Sequence, residues 1–274
     1  MANVLRREKQ EAIIRCLVDG SSIRATERMT ETHRDTIMRL MVRVGDGCAR
    51  LLDEEMRNLS CQRIECDELW GFIGKKQRHV REDDDRTRVG DIWTWVALDS
   101  DTKLVPAFRV GKRDLPLARE FLADLAGRLT NRVQLSTDAM WAYLDAVQWG
   151  FGGKVDWATV VKTYEAEPIG PGRYSPPKVI ATTKMAMMGD PDEAHISTSF
   201  VERQNLTMRM SMRRLTRLTN GFSKKLENHK AATALHFAHY NFCRVHRTLK
   251  TTPAVAAGVM YQPWTVADLL DASV

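Results

Sequence analysis

The sequence lacks any apolar run near the ~18 residues that a membrane-spanning helix needs. Its start, Met1-Ala2-Asn3-Val4-Leu5-Arg6-Arg7, carries no apolar signal core. Both absences lead to the expectation of a cytoplasmic chain with no membrane partner. The sequence also lacks a Cys-x-x-Cys. Its five cysteines, Cys16, Cys48, Cys61, Cys66 and Cys243, are odd in number, and Cys61 and Cys66 have no His or Cys at zinc-finger spacing. This excludes a disulfide framework and a zinc finger, and the thiols read as structural in a reducing compartment.

What is present begins with charge. The 274 residues carry a net charge of +6 and a pI near 9.1, which hints at a polyanionic partner. The excess is concentrated. Between Glu202 and Lys230 stand eight basic residues (Arg203, Arg209, Arg213, Arg214, Arg217, Lys224, Lys225 and Lys230) against two acidic ones, which accounts for the whole +6. A hydrophobic content of 43% is enough for a sizeable core.

The first sixty residues read as helices. Apolar residues between Ala12 and Val18 give one face of a helix over 7–18. Asp19-Gly20-Ser21-Ser22 ends it and caps a short helix over 22–29. Thr30-Glu31-Thr32 makes a turn, a third helix spans 33–44, and a separate connecting helix is expected over 46–60. Short helix, tight turn and longer helix form a helix-turn-helix pattern, in which His33, Arg34, Thr36 and Arg39 would meet DNA bases.

From Ile64 the period changes. Strands are expected at Ile64–Ile73, Ile92–Leu98, Lys103–Val110, Val133–Ser136 and Val155–Val161, with helices at 114–129 and Trp141–Val147. Glu82-Asp83-Asp84-Asp85 reads as a solvated loop. Residues 165–195, rich in Pro and Gly, read as an irregular insertion. A long helical pattern runs from Ser197 to about 245, interrupted near Asn220-Gly221, and Thr252-Pro253-Ala254 starts a last short helix. The predicted class is α/β: a ribonuclease H-like core with a mixed five-stranded sheet and flanking helices, preceded by an all-α helix-turn-helix domain. Its boundaries would be 1–60 for the DNA-binding part, 61–250 for the catalytic domain and 251–274 for a C-terminal tail. In that core the first and fourth strands are neighbours.

Three acids then fall into one pattern. Asp67 lies on the first strand, Asp138 ends the fourth, and Glu202 opens a basic helix. Together they suit an all-oxygen site for Mg²⁺, with Mn²⁺ as a substitute. Two such ions about 3.5–4 Å apart can drive phosphoryl transfer on nucleic acid. Asp67, mid-strand, is the natural shared ligand, although alternation alone does not choose between Glu65 and Asp67, and it turns Glu68 to the other face. Asn205 and Arg209 share a helix face with Glu202, where they and Arg213 could contact DNA.

These residues carry a family resemblance. The chain resembles bacterial insertion-sequence transposases of the DDE class, closest to the insertion-sequence-one (IS-one) type. The motifs are Cys66-Asp67-Glu68-Leu69-Trp70, Ser136-Thr137-Asp138-Ala139 and Thr198-Ser199-Phe200-Val201-Glu202-Arg203-Gln204-Asn205. The tail from Tyr240 to Leu249 with Thr252-Pro253-Ala254 is similar too. The resemblance implies Asp67, Asp138 and Glu202 as the catalytic triad and Arg209 as the basic residue that follows it. It implies cleavage at the element's ends and joining of the 3′-hydroxyl to target DNA by a dimer or larger assembly. Some relatives carry an N-terminal cysteine zinc motif, which this chain lacks, so end recognition would fall to the helix-turn-helix. The competing expectations are a ribonuclease H-like nuclease or resolvase, which cuts without joining, and a non-cleaving DNA-binding regulator.

Overall fold

Apolar residues one helical turn apart draw the N-terminal helices together. In a computed structural model that describes residues 5–165, 178–217 and 219–274, α1 (Arg7–Val18) buries Ile13, Ile14 and Val18. In α2 (Ile23–Thr30), the Ser22 hydroxyl accepts the N–H of Ala25 at 3.0 Å, a side-chain N-cap. Glu31, left-handed at φ 50°, ends the helix.

The third helix departs from expectation. Instead of a helix over 33–44 and a connector over 46–60, α3 runs unbroken from Arg34 to Glu55. Gly45 and Gly47 lie inside it because two partners come too close for a side chain. A Cβ on Gly45 would sit 2.2 Å from the carbonyl oxygen of Ala231, and one on Gly47 would sit 1.6 Å from that of Ser273. Those contacts seat α3 on α7 (Leu226–Ala238) and α9 (Val266–Ser273), and one hydrophobic core runs from Ile13 through Leu69 and Phe237 to Leu270. The tail is therefore packed: α8 (Pro253–Ala256) is capped by Thr252, and α9 opens with a capping box between Thr265 and Asp268.

The sheet has six strands among the described residues, not five, in the order β3-β2-β1-β4-β5-β6. They are β1 (Arg63–Ile73), β2 (Gly90–Asp99), β3 (Ala107–Gly111), β4 (Val133–Asp138), β5 (Val155–Tyr164) and β6 (Val179–Met188). β1 and β4 are parallel neighbours, as the sequence predicts, as are β4 and β5, while β1–β2, β2–β3 and β5–β6 are antiparallel. A mixed sheet with this central order and flanking helices is compatible with a ribonuclease H-like core.

The sixth strand replaces part of the irregular insertion, pairing with β5 from Met188 back to Val179. Residues 166–177 of that insertion lie outside the described residues. The third strand is shorter than expected. Residues 103–106 are not in the ladder, and the Asn241 side chain stands in for a neighbouring strand by accepting from Val105 N at 3.0 Å and donating to its carbonyl at 2.9 Å.

Helices cover both faces. α4 (Leu115–Arg128), capped by Asp114, and α5 (Trp141–Phe151) pack on one, where Trp95 meets Phe121 and Tyr143. α6 (Ser199–Ser211) lies against the other. The long helical pattern is broken more widely than the Asn220-Gly221 signal suggests: α6 and α7 are separated by residues 212–225, including a single 3₁₀ turn at Arg213–Leu215.

Candidate active site

Side-chain alternation places the three predicted acids. On β1, Glu65 and Asp67 face α6, while Glu68 faces α5. The parallel pairing of β1 with β4 ends at Glu65↔Ser136. Asp67 and Asp138 thus lie just past the last paired position, where the two strands part at their C-terminal ends. A cavity of about 590 Å³ opens there, lined by Asp67, Asp138 and Glu202 together with Lys162, Tyr164 and Thr198.

One carboxylate oxygen from each of Asp67, Glu68 and Asp138 lies within 4.8 Å of the others. Burial is the main reason Asp67 has its pKa raised to about 6, and the negative charges of Asp138 and Glu202 push the same way. Grouped anionic oxygens facing a polar cavity, with one already strained toward protonation, are a donor set that fits a hard divalent cation.

Glu202 lies on the same cavity but outside the tight group. Its Oε1 accepts the Thr198 hydroxyl at 2.7 Å and is paired with the Lys162 ammonium. With 44% of its side chain exposed, it is the most open of the three.

Glu65 and Asp67, which alternation leaves on the same face, differ in what each touches. Glu65 is spent as a helix cap: Oε2 accepts the backbone N–H groups of Phe200 and Val201 at 2.8 and 2.9 Å. Burial raises the Glu65 pKa, and those two bonds oppose the rise. Asp67 faces the cavity and accepts the Asn205 amide from α6, at 2.7 Å.

The residues expected to contact DNA divide into two groups. His33, Arg34 and Arg39 are exposed at the start of α3, and Thr36 is half-buried. His33 caps the helix, its Nδ1 accepting Asp35 N at 3.3 Å, and Arg39 bonds back to the Asp35 carbonyl. Asn205 differs from expectation: it is buried and gives its amide to Asp67, so it supports a carboxylate instead of facing outward. Arg209 is half-buried near Asp67, and burial with neighbouring Arg217 lowers its pKa. Arg213 is exposed. Arg214 turns inward, donating to Ser223 Oγ at 2.9 Å and contacting Met41 Sδ on α3 at 3.0 Å, so it leaves the solvent-facing basic surface.

Sequence reasoning missed four contributors, Lys162, Thr198, Arg113 and Tyr143, and it weighed Glu68 only as a competing acid. Tyr143 hydrogen-bonds Glu68, and Arg113 bridges Glu68 and Asp138. Glu68 has its pKa raised to about 7, chiefly by burial and then by the charge of Asp138. Alternation could have flagged Glu68 as an acid on the buried face, but nothing local in the sequence pointed to Arg113 or Lys162. No described helix is long and apolar enough to cross a membrane.

No protein-family model matches the chain, and no curated protein matches it. Solved structures do. The piggyBac transposase synaptic complex with hairpin DNA matches 99% of this chain and 72% of its own at 11% identity and a TM-score of 0.44. The Mos1 transposase paired-end complex with the left transposon end matches 58% of this chain and 60% of its own, at 15% identity and a TM-score of 0.25. The Mos1 strand transfer complex matches 58% and 59%, at 16% identity and 0.25. All three are transposase complexes. With likeness this distant, the chemistry of this chain rests on its own residues.

Proposed function

We propose that the chain is a DNA transposase of the DDE class, similar to the insertion-sequence-one type, that cuts the ends of its element and joins the 3′-hydroxyl to target DNA. The observation that carries the reading is the meeting of Asp67 and Asp138, from the parting ends of β1 and β4, on one polar cavity shared with Glu202. Asp67, Asp138 and Glu202 would hold Mg²⁺, with Mn²⁺ as a substitute and two ions in all. When bound, the metal neutralises phosphate charge and makes water a usable nucleophile near neutral pH.

The chain's own groups do the rest. Asn205 fixes the Asp67 carboxylate, and Thr198 fixes Glu202. Lys162 balances Glu202 until a cation takes over that role. Arg209, on α6 within reach of the Asp67 charge, would supply a cation for a strand phosphate. The exposed arginines and lysines from Arg203 to Lys230 would guide the DNA backbone toward the cavity.

Residues 1–60 would act as the DNA-reading part: α2 and the start of α3 form a helix-turn-helix that offers His33, Arg34, Thr36 and Arg39 to the terminal inverted repeats. Residues 61–250 would form the catalytic domain, and 251–274 the tail that clasps α3. Joining two ends calls for a dimer or larger assembly on double-stranded DNA, working in the cytoplasm on the nucleoid.

The test is cleavage of a labelled element-end duplex in Mg²⁺ by the wild type, Asp138→Asn and Glu202→Gln, followed by a strand-transfer assay. Metal-dependent nicking lost in both variants, with joining by the wild type, supports the reading. Nicking without joining favours the nuclease, and DNA binding without nicking favours the regulator. Equal cleavage by Glu202→Gln and the wild type overturns the third ligand.

A further inference from the structure

We propose that Arg113 is a positioning residue for Asp138, anchored from behind by the buried pair Glu68 and Tyr143; the inference rests on the cation-site reading above. Arg113 lies in the link between β3 and α4, beside Asp138 of the cavity wall. Its Nε donates to Glu68 Oε2 at 3.0 Å, and its terminal nitrogen reaches Asp138 Oδ2 at 3.5 Å. The guanidinium also lies 4.9 Å over the ring of Trp93 on β2.

The anchor is more deeply buried than the group it holds. The Glu68 side chain is 1% exposed, against 39% for Asp138. The other oxygen of Glu68 receives the Tyr143 hydroxyl, and Tyr143 is fully buried edge-on to Trp95 at 5.8 Å. Contacts therefore run without a gap from the core through Glu68 and Arg113 to Asp138.

An ion pair between two exposed groups would contribute little. Here one partner is a buried carboxylate that needs a counter-charge, which pins the arginine in place. A planar guanidinium held at Glu68 and laid over Trp93 then selects one orientation of the carboxylate it touches. The ladder with β5 holds the Asp138 backbone, opposite Val160, but not its carboxylate, whose other described bond is to Oδ1, from Met140 N at 2.9 Å.

Glu68 shares the tight group of carboxylate oxygens with Asp67 and Asp138, but its oxygens carry Tyr143 and Arg113 and it is not part of the cavity wall on which Asp67, Asp138 and Glu202 meet.

The alternatives for Arg113 differ in sign. If it acted only as a nearby positive charge, its removal would tighten cation binding, because like charges repel. If it positions Asp138, its removal weakens binding. The experiment is calorimetric titration of Mn²⁺ alone, without DNA, into the full chain and into Arg113→Ala, Arg113→Lys and Tyr143→Phe. Arg113→Ala is expected to weaken Mn²⁺ binding by about 10–100-fold, the range for groups that orient a ligand. Arg113→Lys should not restore it, since a single ammonium lacks the fork. Tyr143→Phe keeps the ring in the core while releasing Glu68, and should shift affinity in the same direction, so it carries the test if Arg113→Ala does not fold.

In a nicking assay the Arg113 variants should lower kcat with KM for DNA unchanged. Equal or tighter Mn²⁺ binding by Arg113→Ala, full rescue by Arg113→Lys, or a raised KM with intact kcat would each overturn the proposal. A wild type that binds Mn²⁺ but never cuts DNA refutes the proposed function alone, and the titration still decides Arg113. A wild type that binds no Mn²⁺ refutes both.

Discussion

One oxygen of Glu65 accepts the backbone N–H groups of both Phe200 and Val201, at 2.8 and 2.9 Å, so strand β1 holds the helix that carries Glu202. The acid two positions before Asp67 thus fixes where the third acid stands.

Removing that cap should therefore cost both stability and activity. Glu65→Ala strands two N–H groups, one buried and one part-buried, and should destabilise the chain by about 1–3 kcal/mol. Glu65→Gln keeps an acceptor oxygen and should lose less. Urea denaturation and a nicking assay on the same preparations check this; an alanine variant with wild-type stability would show that α6 is held elsewhere.

Asn205 separates support of the site from DNA binding. Its amide is directed at Asp67, at 2.7 Å, and the residue is buried. Asn205→Ala should slow cleavage while leaving DNA affinity within about threefold of the wild type, since no phosphate contact is removed. Gel-shift titration in Ca²⁺ alongside cleavage in Mg²⁺ measures the two separately. A large loss of DNA affinity with normal cleavage of bound DNA would return Asn205 to the DNA-contact role expected from sequence.

Two glycines should behave oppositely. Gly45→Ala drives a methyl group to 2.2 Å from the backbone oxygen of Ala231, forcing α3 off α7. It should destabilise by about 1–3 kcal/mol, the usual range for overpacking. Gly127, in α4, has nothing within 4 Å of an added Cβ. Gly127→Ala should be neutral or stabilising, by up to about 1 kcal/mol. Paired chemical-denaturation curves decide; equal effects would mean the α3–α7 approach is looser than described.

His236 gives a pH-dependent signature. Burial, helped by His239 and Arg244, lowers its pKa from 6.5 to about 3, and its Nε2 has no described partner. The unfolded chain takes up this proton near pH 6.5 and the folded chain does not, so the contribution of this histidine to stability falls as pH drops below 6.5 and levels out near 3. His236→Gln should therefore gain on the wild type between pH 7.5 and pH 5 by about 2 kcal/mol, at roughly 1.4 kcal/mol per pH unit below 6.5. Comparing one variant with the wild type at two pH values cancels the opposite trend of buried Asp67 and Glu68. A gap that stays constant with pH would mean that His236 protonates in the folded chain.

Much of the framework was readable because it obeys local rules. Apolar spacing gave α1 and α4, the Asp99–Thr102 turn separated β2 from the segment leading to β3, and topology made β1 and β4 neighbours before any coordinates. The misreadings have tertiary causes. Gly45-Asp46-Gly47 reads as a break because glycine is a poor helix former, yet the glycines are there so that Ala231 and Ser273 can approach. β6 was hidden because most of its residues are exposed, leaving no alternation to detect, and because the neighbouring prolines and glycines dominated the composition. At the site, the pattern identified Asp67, Asp138 and Glu202 as candidates. It could not show that Lys162 pairs with Glu202, or that Arg113 reaches Asp138, since those partners are distant in sequence; the Thr198 bond to Glu202, by contrast, spans only four residues.

That distance has a consequence for how the chain is made. Asp67 and Asp138 come from β1 and β4, and Glu202 sits on α6, whose first turn is held by β1. No local segment contains the site, and a polypeptide emerging in N-to-C order cannot complete it until Ser199 and the residues after it have been synthesised and docked. Contacts so far apart in sequence are also among the slower ones to form. On the proposed function, a nascent or truncated chain that already displays the helical surfaces of its early residues would be chemically silent, and DNA-cutting capacity would arise only in a molecule whose sheet and sixth helix have come together.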